Sequence, residues 1–150
     1  MNGILDGSDE LIAAWAFATF KFYPMPVDKA LGILSSDGKV VGAALFQNFN
    51  GSNVELSYCG PKTLTLGLVR ALAQVIVTHF DAARLTVVTS KRNKAFMRGL
   101  LKIGFKLEGH QRCFYGREDS NRNIGVRFVM FRDRINQLAM PMKGKDASAV

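Results

Sequence analysis

One carboxylate in a short, largely apolar segment near the middle of the chain is the first candidate for chemistry. Glu55 is the only acid between Asp37 and Asp81, and the residues around it alternate as in a β-strand over 54–59. A carboxylate held in apolar surroundings is suited to act as a general base. The alternative is an exposed strand glutamate paired with a lysine across the sheet.

Three further side chains are able to transfer a proton close to such a base. Ser57 and Tyr58 follow Glu55 on the same predicted strand and could relay protons. Tyr115, at the end of a strand predicted over 105–115, is a candidate acid. Amphipathic packing at the edge of a sheet is the alternative role for Tyr115.

The cysteines and histidines lack the spacing of a metal site or a catalytic triad. Cys59 and Cys113 are far apart and no secretory signal is recognisable, so we expect free thiols in a cytoplasmic protein. His79 and His110 have no partner at metal-ligand or triad spacing and are expected to be structural. Because no base that would activate Cys59 is evident, a thiol nucleophile is not favoured, and we expect no metal.

The positive charge is concentrated in the second half of the chain. The formal net charge is +8, and residues 84–134 contain thirteen Lys or Arg against four acids. This half is therefore expected to meet a polyanion, which is either a nucleic acid or a phosphate-rich cofactor. The longest apolar stretch, over 11–20, is too short to span a bilayer, so no membrane partner is expected.

The hydrophobic pattern predicts one α/β domain over 1–138, followed by a flexible tail over 139–150. Ser8 is predicted to cap the first helix, which ends before Pro24. Thr63 or Thr65 is predicted to cap the second. The predicted helices cover 9–20, 63–80 and 91–103, and the predicted strands cover 31–34, 40–49, 54–59, 85–89, 105–115 and 124–131.

One segment of the sequence resembles a known protein family. Residues 85–112 read LTVVTSKRNKAFMRGLLKIGFKLEGHQR, in which Asn93 follows a strand, Gly104-Phe105 ends a helix, and Glu108-Gly109 precedes Arg112. This spacing resembles the GNAT superfamily of acyl-CoA-dependent N-acetyltransferases. Segments 39–42 and 54–56 resemble, more loosely, the third and fourth strands of that family. The resemblance extends over about residues 30 to 132 and is strongest to the branch that acetylates protein N-termini or polyamines.

The resemblance implies a fold, an activity and a set of residues. The fold is α/β (α+β), with a central mixed, twisted sheet of six to seven strands, helices on both faces, and the family's fourth and fifth strands parallel and splayed. The activity is direct transfer of an acetyl group from acetyl-CoA to a primary amine of a protein or small molecule. Glu55 matches a position at which several members have a catalytic Glu, and Ser57 and Tyr115 are the further catalytic candidates, Tyr115 as a substitute acid. Acetyl-CoA would be held by Tyr58, Cys59, Lys62, Thr65, Gly67, Arg92, Asn93 and Arg98.

Two positions depart from the family pattern. Thr65 stands where the pyrophosphate loop usually has a glycine, and Leu100 stands where many members have a proton-donating tyrosine. A catalytically inactive binding module with this fold is therefore one alternative, and a basic nucleic-acid-binding protein is another, less favoured one. Asn93 has the alternative role of a helix cap. The resemblance is also compatible with a homodimer.

The distribution of charge along the chain limits which amines are suitable acceptors. A basic C-terminal half disfavours a highly cationic small substrate, unless acids of the N-terminal segment form its pocket. These acids are Asp6, Asp9, Glu10 and Asp28.

Overall fold

The computed structural model describes residues 3–21, 23–61 and 64–140. It contains one mixed seven-stranded sheet with four α-helices. The strands are β1 Gly3–Leu5, β2 Lys29–Leu34, β3 Val40–Gln47, β4 Asn53–Cys59, β5 Arg84–Ser90, β6 Lys106–Gln111 and β7 Gly125–Phe131, and the helices are α1 Asp9–Phe20, α2 Leu66–Val75, α3 Lys94–Ile103 and α4 Arg132–Ala139.

The sheet has the strand order β1-β2-β3-β4-β5-β7-β6, and β4 and β5 are its parallel pair. Parallel strands require a crossover, which α2 supplies between β4 and β5. The predicted mixed sheet of six to seven strands and its parallel pair are confirmed. β5 is buried on both faces along most of its length, as the run of Leu, Val and Thr in the sequence predicts.

Helices cover both faces of the sheet, also as predicted. Helix α1 packs on one face, where its Ile12 and Ala16 belong to a smaller buried cluster with Leu45 of β3. Helices α2, α3 and α4 pack on the opposite face around the main core, to which Leu100 and Ile135 belong. The candidate functional residues on β4 therefore lie between two helical layers.

Two elements were not predicted. β1 has three residues, too few to show a strand period, and it joins the sheet by pairing Gly3–Leu5 with β2. Helix α4 reads RDRINQLA, and Ile135 is its one buried residue, so it lacks the wide apolar stripe by which a helix is recognised. The tail predicted over 139–150 begins inside this helix at Ala139, and its residues 141–150 lie outside the described part of the chain.

Several predicted boundaries are wrong for identifiable reasons. The sixth strand, predicted over 105–115, ends at Gln111, because Cys113 has φ 54° and the amides of Phe114 and Tyr115 donate to the carbonyl of Asn123. The third helix begins at Lys94, since the residues before it form a turn after β5.

The predicted caps have mixed outcomes. Thr65 caps α2, accepting a hydrogen bond from the amide of Leu68 at 3.2 Å. The predicted helix does extend to Phe80, but its last turn, Ile76–Phe80, is π-helical. Ser8 occupies the N-cap position of α1 without a capping hydrogen bond from its side chain.

Candidate active site

The two parallel strands separate halfway along their length. β4 and β5 are paired from Asn53↔Arg84 to Leu56↔Val87, and their pairing ends there. Beyond this point each strand follows its other neighbour: β4 stays with β3 as far as Ala43↔Cys59, and β5 stays with β7 as far as Ser90↔Gly125. The predicted splay is therefore present, and the edges over 57–59 and 88–90 face each other without a shared ladder.

A close backbone contact keeps β4 against β3 at the end of the splay. A Cβ placed on Gly42 would lie 2.7 Å from the carbonyl oxygen of Cys59, and Gly60 adopts φ 136°. Glycine is needed at both positions, because a side chain would push the two strands apart or force a strained turn. These two glycines therefore allow the end of β4 to stay paired with β3.

A cavity of about 670 Å³ occupies the splay. Its floor is formed by β3, β4 and β5, and its walls come from the end of α1, the loop before β2, the start of α3 and the turn after β6. This volume lies in the range of small-molecule sites. The sequence-predicted residues that line it are Glu55, Ser57, Tyr58, Cys59, Asn93 and Tyr115.

Glu55 is half-buried on β4 and lines this cavity. Its Oε2 accepts a hydrogen bond from Nδ2 of Asn48 at 2.9 Å, and its cross-strand neighbour is Gln47. The alternative of a lysine partner across the sheet is therefore wrong. By strand alternation Glu55 and Ser57 project to the same face as the buried Cys59, which packs on the α1 side.

Ser57 belongs to a short polar chain that sequence reasoning missed. Its Oγ donates to Oε1 of Gln47 at 2.9 Å, and Nε2 of Gln47 donates to the carbonyl of Pro26 at 3.4 Å. Gln47 is buried and lines the cavity. Gln47 is the one amide in the otherwise apolar strand over 40–47. This pattern could have indicated hydrogen-bond partners for Gln47, because a buried amide requires them.

Tyr58 projects to the opposite face from Glu55. Its ring stacks on Phe96 of α3 with the centroids 5.8 Å apart, and its hydroxyl donates to the carbonyl of Pro61. Burial raises the pKa of Tyr58 to about 12. The phenol therefore remains protonated at neutral pH and positions α3 against the splayed strand.

Cys59 is buried, and its thiol donates to the carbonyl of Ala43 at 3.6 Å. Burial raises the pKa of Cys59 to about 11, so the thiol is protonated at neutral pH. This state disfavours a thiolate nucleophile and agrees with direct transfer. Cys59 and Cys113 are both free thiols.

Tyr115 reaches the cavity from the opposite side of the splay. It lies in the turn after β6, and not on the predicted strand, and its hydroxyl is 3.5 Å from the carbonyl oxygen of Val88. The residue is 49% exposed, yet the protein around it raises the pKa of Tyr115 to about 12 by burial. A neutral phenol and the carboxylate of Glu55 thus line one cavity.

Asn93 occupies the N-cap position of α3, but its side chain makes no capping hydrogen bond. Its Nδ2 donates instead to Oγ1 of Thr89 at 3.3 Å, on the splayed part of β5. Leu100, where the family pattern has a tyrosine, is 2% exposed in the main core. A side chain at that position is part of the packing between α3 and the sheet.

The start of α2 lies beyond the end of β4. Its first turn contains no acid, and a Cβ placed on Gly67 would meet no atom within 4 Å. The amides of a first helical turn have no intrahelical acceptor and favour anions. Arg92 and Arg98 are exposed near and on α3 and do not line the cavity, and Lys62 lies outside the described residues.

Within 3–21, 23–61 and 64–140, no group of three His, Cys, Asp or Glu is arranged to hold a metal ion. No helix in this described part of the chain is long and apolar enough to cross a membrane.

Comparison with solved structures places this arrangement among known folds. A mutant form of the spermidine/spermine N-acetyltransferase SpeG from Vibrio cholerae superposes with a TM-score of 0.73 at 9% identity, covering 93% of this chain and 100% of that one. A second SpeG mutant gives 0.70 at 10% identity over 89% and 95% of the two chains. A GNAT-family acetyltransferase from Bacillus anthracis gives 0.54 at 15% identity over 69% and 66%.

These similarities are similarities of fold. No protein-family profile and no curated protein sequence matches the chain. The seven-stranded sheet, the splayed parallel pair and the superpositions together show that the chain has the GNAT acyltransferase fold.

Proposed function

We propose that the protein is an N-acetyltransferase that moves an acetyl group from acetyl-CoA directly to a primary amine. The observation that carries this proposal is the splay between β4 and β5, which opens a cavity lined by Glu55 and Tyr115. Solved structures with the same fold include acetyltransferases that act on spermidine.

The residues around the splay fit the parts of acetyl-CoA. The unpaired strand edges over 57–59 and 88–90 offer backbone groups to an extended pantetheine arm with its amides. The first turn of α2 offers amides to the pyrophosphate, with open space at Gly67 and no acid nearby. Asn93 lines the cavity beside β5 and would supply an amide to the same arm. Arg92 and Arg98 are exposed and would neutralise outer phosphates.

In the proposed reaction Glu55 accepts a proton from the incoming ammonium group, directly or through water, so that the neutral amine can attack the thioester carbonyl. The new bond joins the amine nitrogen to the acetyl carbon, the nitrogen loses its second proton to water, and the carbon–sulfur bond breaks. Glu55 returns the first proton to solvent. Tyr115 then donates its phenolic proton to the departing thiolate and recovers it from solvent. Ser57 holds Gln47 in place through its hydrogen bond and can take part in the water relay.

Two observations favour a second candidate, a binding module without catalysis. Thr65 directs its Oγ1 to the amide of Leu68 and so uses one of the donors that a phosphate would need. Leu100 is buried, so no phenol is present at the usual position of the acid. A module of this kind would bind a ligand in the splay and release no CoA.

A basic nucleic-acid-binding role has less support. Lys94 and Lys102 are exposed on α3, but the aromatic residue between them, Phe96, packs on Tyr58 and is not available for base stacking.

We propose the cytoplasm as the location, which the two free thiols support. A homodimer remains a proposal by analogy with the fold.

The proposal is tested by incubating the protein with acetyl-CoA and a panel of primary amines. Release of free CoA thiol and mass spectrometry of the acetylated amine are the two measurements. Thiol release that requires both the protein and an amine supports the acetyltransferase. Binding of acetyl-CoA without release for any amine supports the binding module instead.

A further inference from the structure

Aromatic rings from two separate parts of the fold line the cavity. Phe17 and Phe20 come from the last turn of α1, Tyr23 from the loop that follows, and Phe114 and Tyr115 from the turn after β6. Tyr23 is 84% exposed and Phe114 is 45% exposed, so these rings are only partly covered by the protein itself. The five rings, which we call the aromatic wall, can take up a flat apolar group.

Few charged side chains line the cavity. Among the described residues, Glu55 is the only carboxylate that lines it, and no Lys or Arg of the described part does. One carboxylate can pair with one ammonium group, and each additional buried cation would lack a partner and cost desolvation energy.

The acids of the N-terminal segment do not supply further partners. Asp6 pairs with Lys29 at 2.6 Å, Asp9 lies 3.7 Å from the same ammonium group, and Asp28 accepts a hydrogen bond from the amide of Phe49 at 3.0 Å. None of these three, nor Glu10, lines the cavity. The arrangement that would have suited a highly cationic small substrate is therefore not formed.

We infer that the acceptor is a small monoamine with an aromatic body, of the arylalkylamine type, and not a polyamine. Its ammonium group lies at Glu55 and its ring lies against the aromatic wall. This inference rests on the proposed acetyltransferase function for its catalytic part. The binding preference itself rests only on the cavity, and it separates this chain from the spermidine-acetylating structures that share its fold.

The only tryptophan of the chain provides a binding readout that does not require turnover. Trp15 packs edge-on against Phe20 of the aromatic wall, with the ring centroids 5.7 Å apart. Titration of the protein, in the presence of CoA and in its absence, with phenethylamine, n-butylamine and spermidine is followed by Trp15 emission and by calorimetry. We expect phenethylamine to bind at least about tenfold more tightly than either of the other amines.

Two variants test whether the aromatic wall causes the preference for phenethylamine. Tyr23→Ala removes an exposed ring and is expected to reduce the phenethylamine preference about threefold or more, with little effect on n-butylamine. Leu107→Ala is the matched control, because Leu107 is an exposed apolar residue, 55% accessible, on β6 outside the cavity. It is expected to leave all three affinities unchanged.

The outcomes separate this inference from the proposed function. Spermidine or n-butylamine binding as tightly as phenethylamine, or an equal loss in both variants, would overturn the inference. If such amines are nevertheless acetylated, the proposed function stands. If phenethylamine binds preferentially but no thiol is released from acetyl-CoA, the binding preference stands and the acetyltransferase proposal falls.

Discussion

Glu55 and Tyr115 reach one cavity from parts of the chain that are sixty residues apart. Glu55 is half-buried and accepts a hydrogen bond from the neutral amide of Asn48, so its charge is not neutralised by a cation in that contact. A carboxylate in this setting can pair with an ammonium group of a substrate and take its proton. A single substitution at each of these two residues therefore tests its proposed role in proton transfer.

The first test removes the proton acceptor while preserving the shape of the side chain. Glu55→Gln is expected to lower kcat by about 10²- to 10⁴-fold, the usual contribution of a general base, and to leave the Kd for acetyl-CoA nearly unchanged. Steady-state kinetics and calorimetry measure the two quantities. Glu108→Gln is the control, since Glu108 pairs with Arg84 and does not line the cavity. Unchanged turnover in Glu55→Gln would remove this residue from the mechanism.

The second test concerns the proton donor. The pKa of Tyr115 is raised to about 12 by burial, and a donor must be protonated to act. Its contribution is therefore fully present at neutral pH and lost only as the pH rises through about 12. We expect Tyr115→Phe to lower kcat about tenfold or more, and we expect the wild-type kcat to show no alkaline decline from this group below about pH 10.

The matched control for this test is the same substitution at a tyrosine on the other face of β4. Tyr58→Phe removes the hydrogen bond to Pro61, and its pKa is also raised to about 12 by burial. We expect it to change stability or acetyl-CoA affinity more than kcat. Full kcat in Tyr115→Phe would contradict the role of Tyr115 as the acid.

At the scale of elements, the site depends on where β4 and β5 separate and on how α3 begins beside the gap. Asn93 directs its amide toward Thr89 on β5 and makes no capping hydrogen bond. The two roles considered for Asn93 differ in what its removal would change. A helix-cap role predicts a loss of protein stability, whereas a ligand-binding role predicts a loss of affinity for acetyl-CoA.

Asn93→Ala is expected to weaken acetyl-CoA binding about tenfold, or about 1.4 kcal/mol, as measured by calorimetry. The free energy of unfolding is expected to change by less than about 1 kcal/mol in a denaturant titration, since one side-chain hydrogen bond of 3.3 Å is lost. Asn121→Ala, at an exposed position of the 3₁₀ turn Asn121–Asn123, serves as the control. A fall in stability with unchanged affinity would make Asn93 structural.

The elements with strong apolar patterns were predictable from the sequence, and those without them were not. The strand predicted over 54–59 is confirmed to within one residue. The helix predicted over 63–80, with Thr63 or Thr65 as its cap, begins at Leu66 and is capped by Thr65. Helix α4 has one buried residue, so no pattern marks it. The turn after β6 depends on hydrogen bonds to Asn123, a contact that local sequence does not reveal.

The candidate site was partly predictable for the same reason. Glu55, Tyr58 and Asn93 belong to segments with local patterns, and all three line the cavity, although their functions remain predictions. The aromatic wall was missed, because Phe17 and Phe114 are almost a hundred residues apart and each reads as an ordinary apolar residue. Only the tertiary fold brings them to one cavity.

At the scale of the whole molecule, the two halves of the chain differ in how their charges are used. Several basic residues of the second half are paired, as Arg84 is with Glu108 and Arg132 is with Asp81. The exposed cations that follow β5, Lys91, Arg92, Lys94 and Arg98, form no ion pair within the described residues. They lie just before α3 and in its first two turns, and we propose that they neutralise the phosphates of CoA.

Calorimetric titration with acetyl-CoA, with free CoA as the control, tests the central claim most directly. We predict one binding site per chain with micromolar affinity, because the strand edges, the first turn of α2 and the cations near α3 then act on one ligand. The absence of heat at millimolar acetyl-CoA, confirmed by an unchanged melting temperature, would contradict acetyl-CoA-dependent transfer and leave the GNAT fold as the scaffold of a different activity.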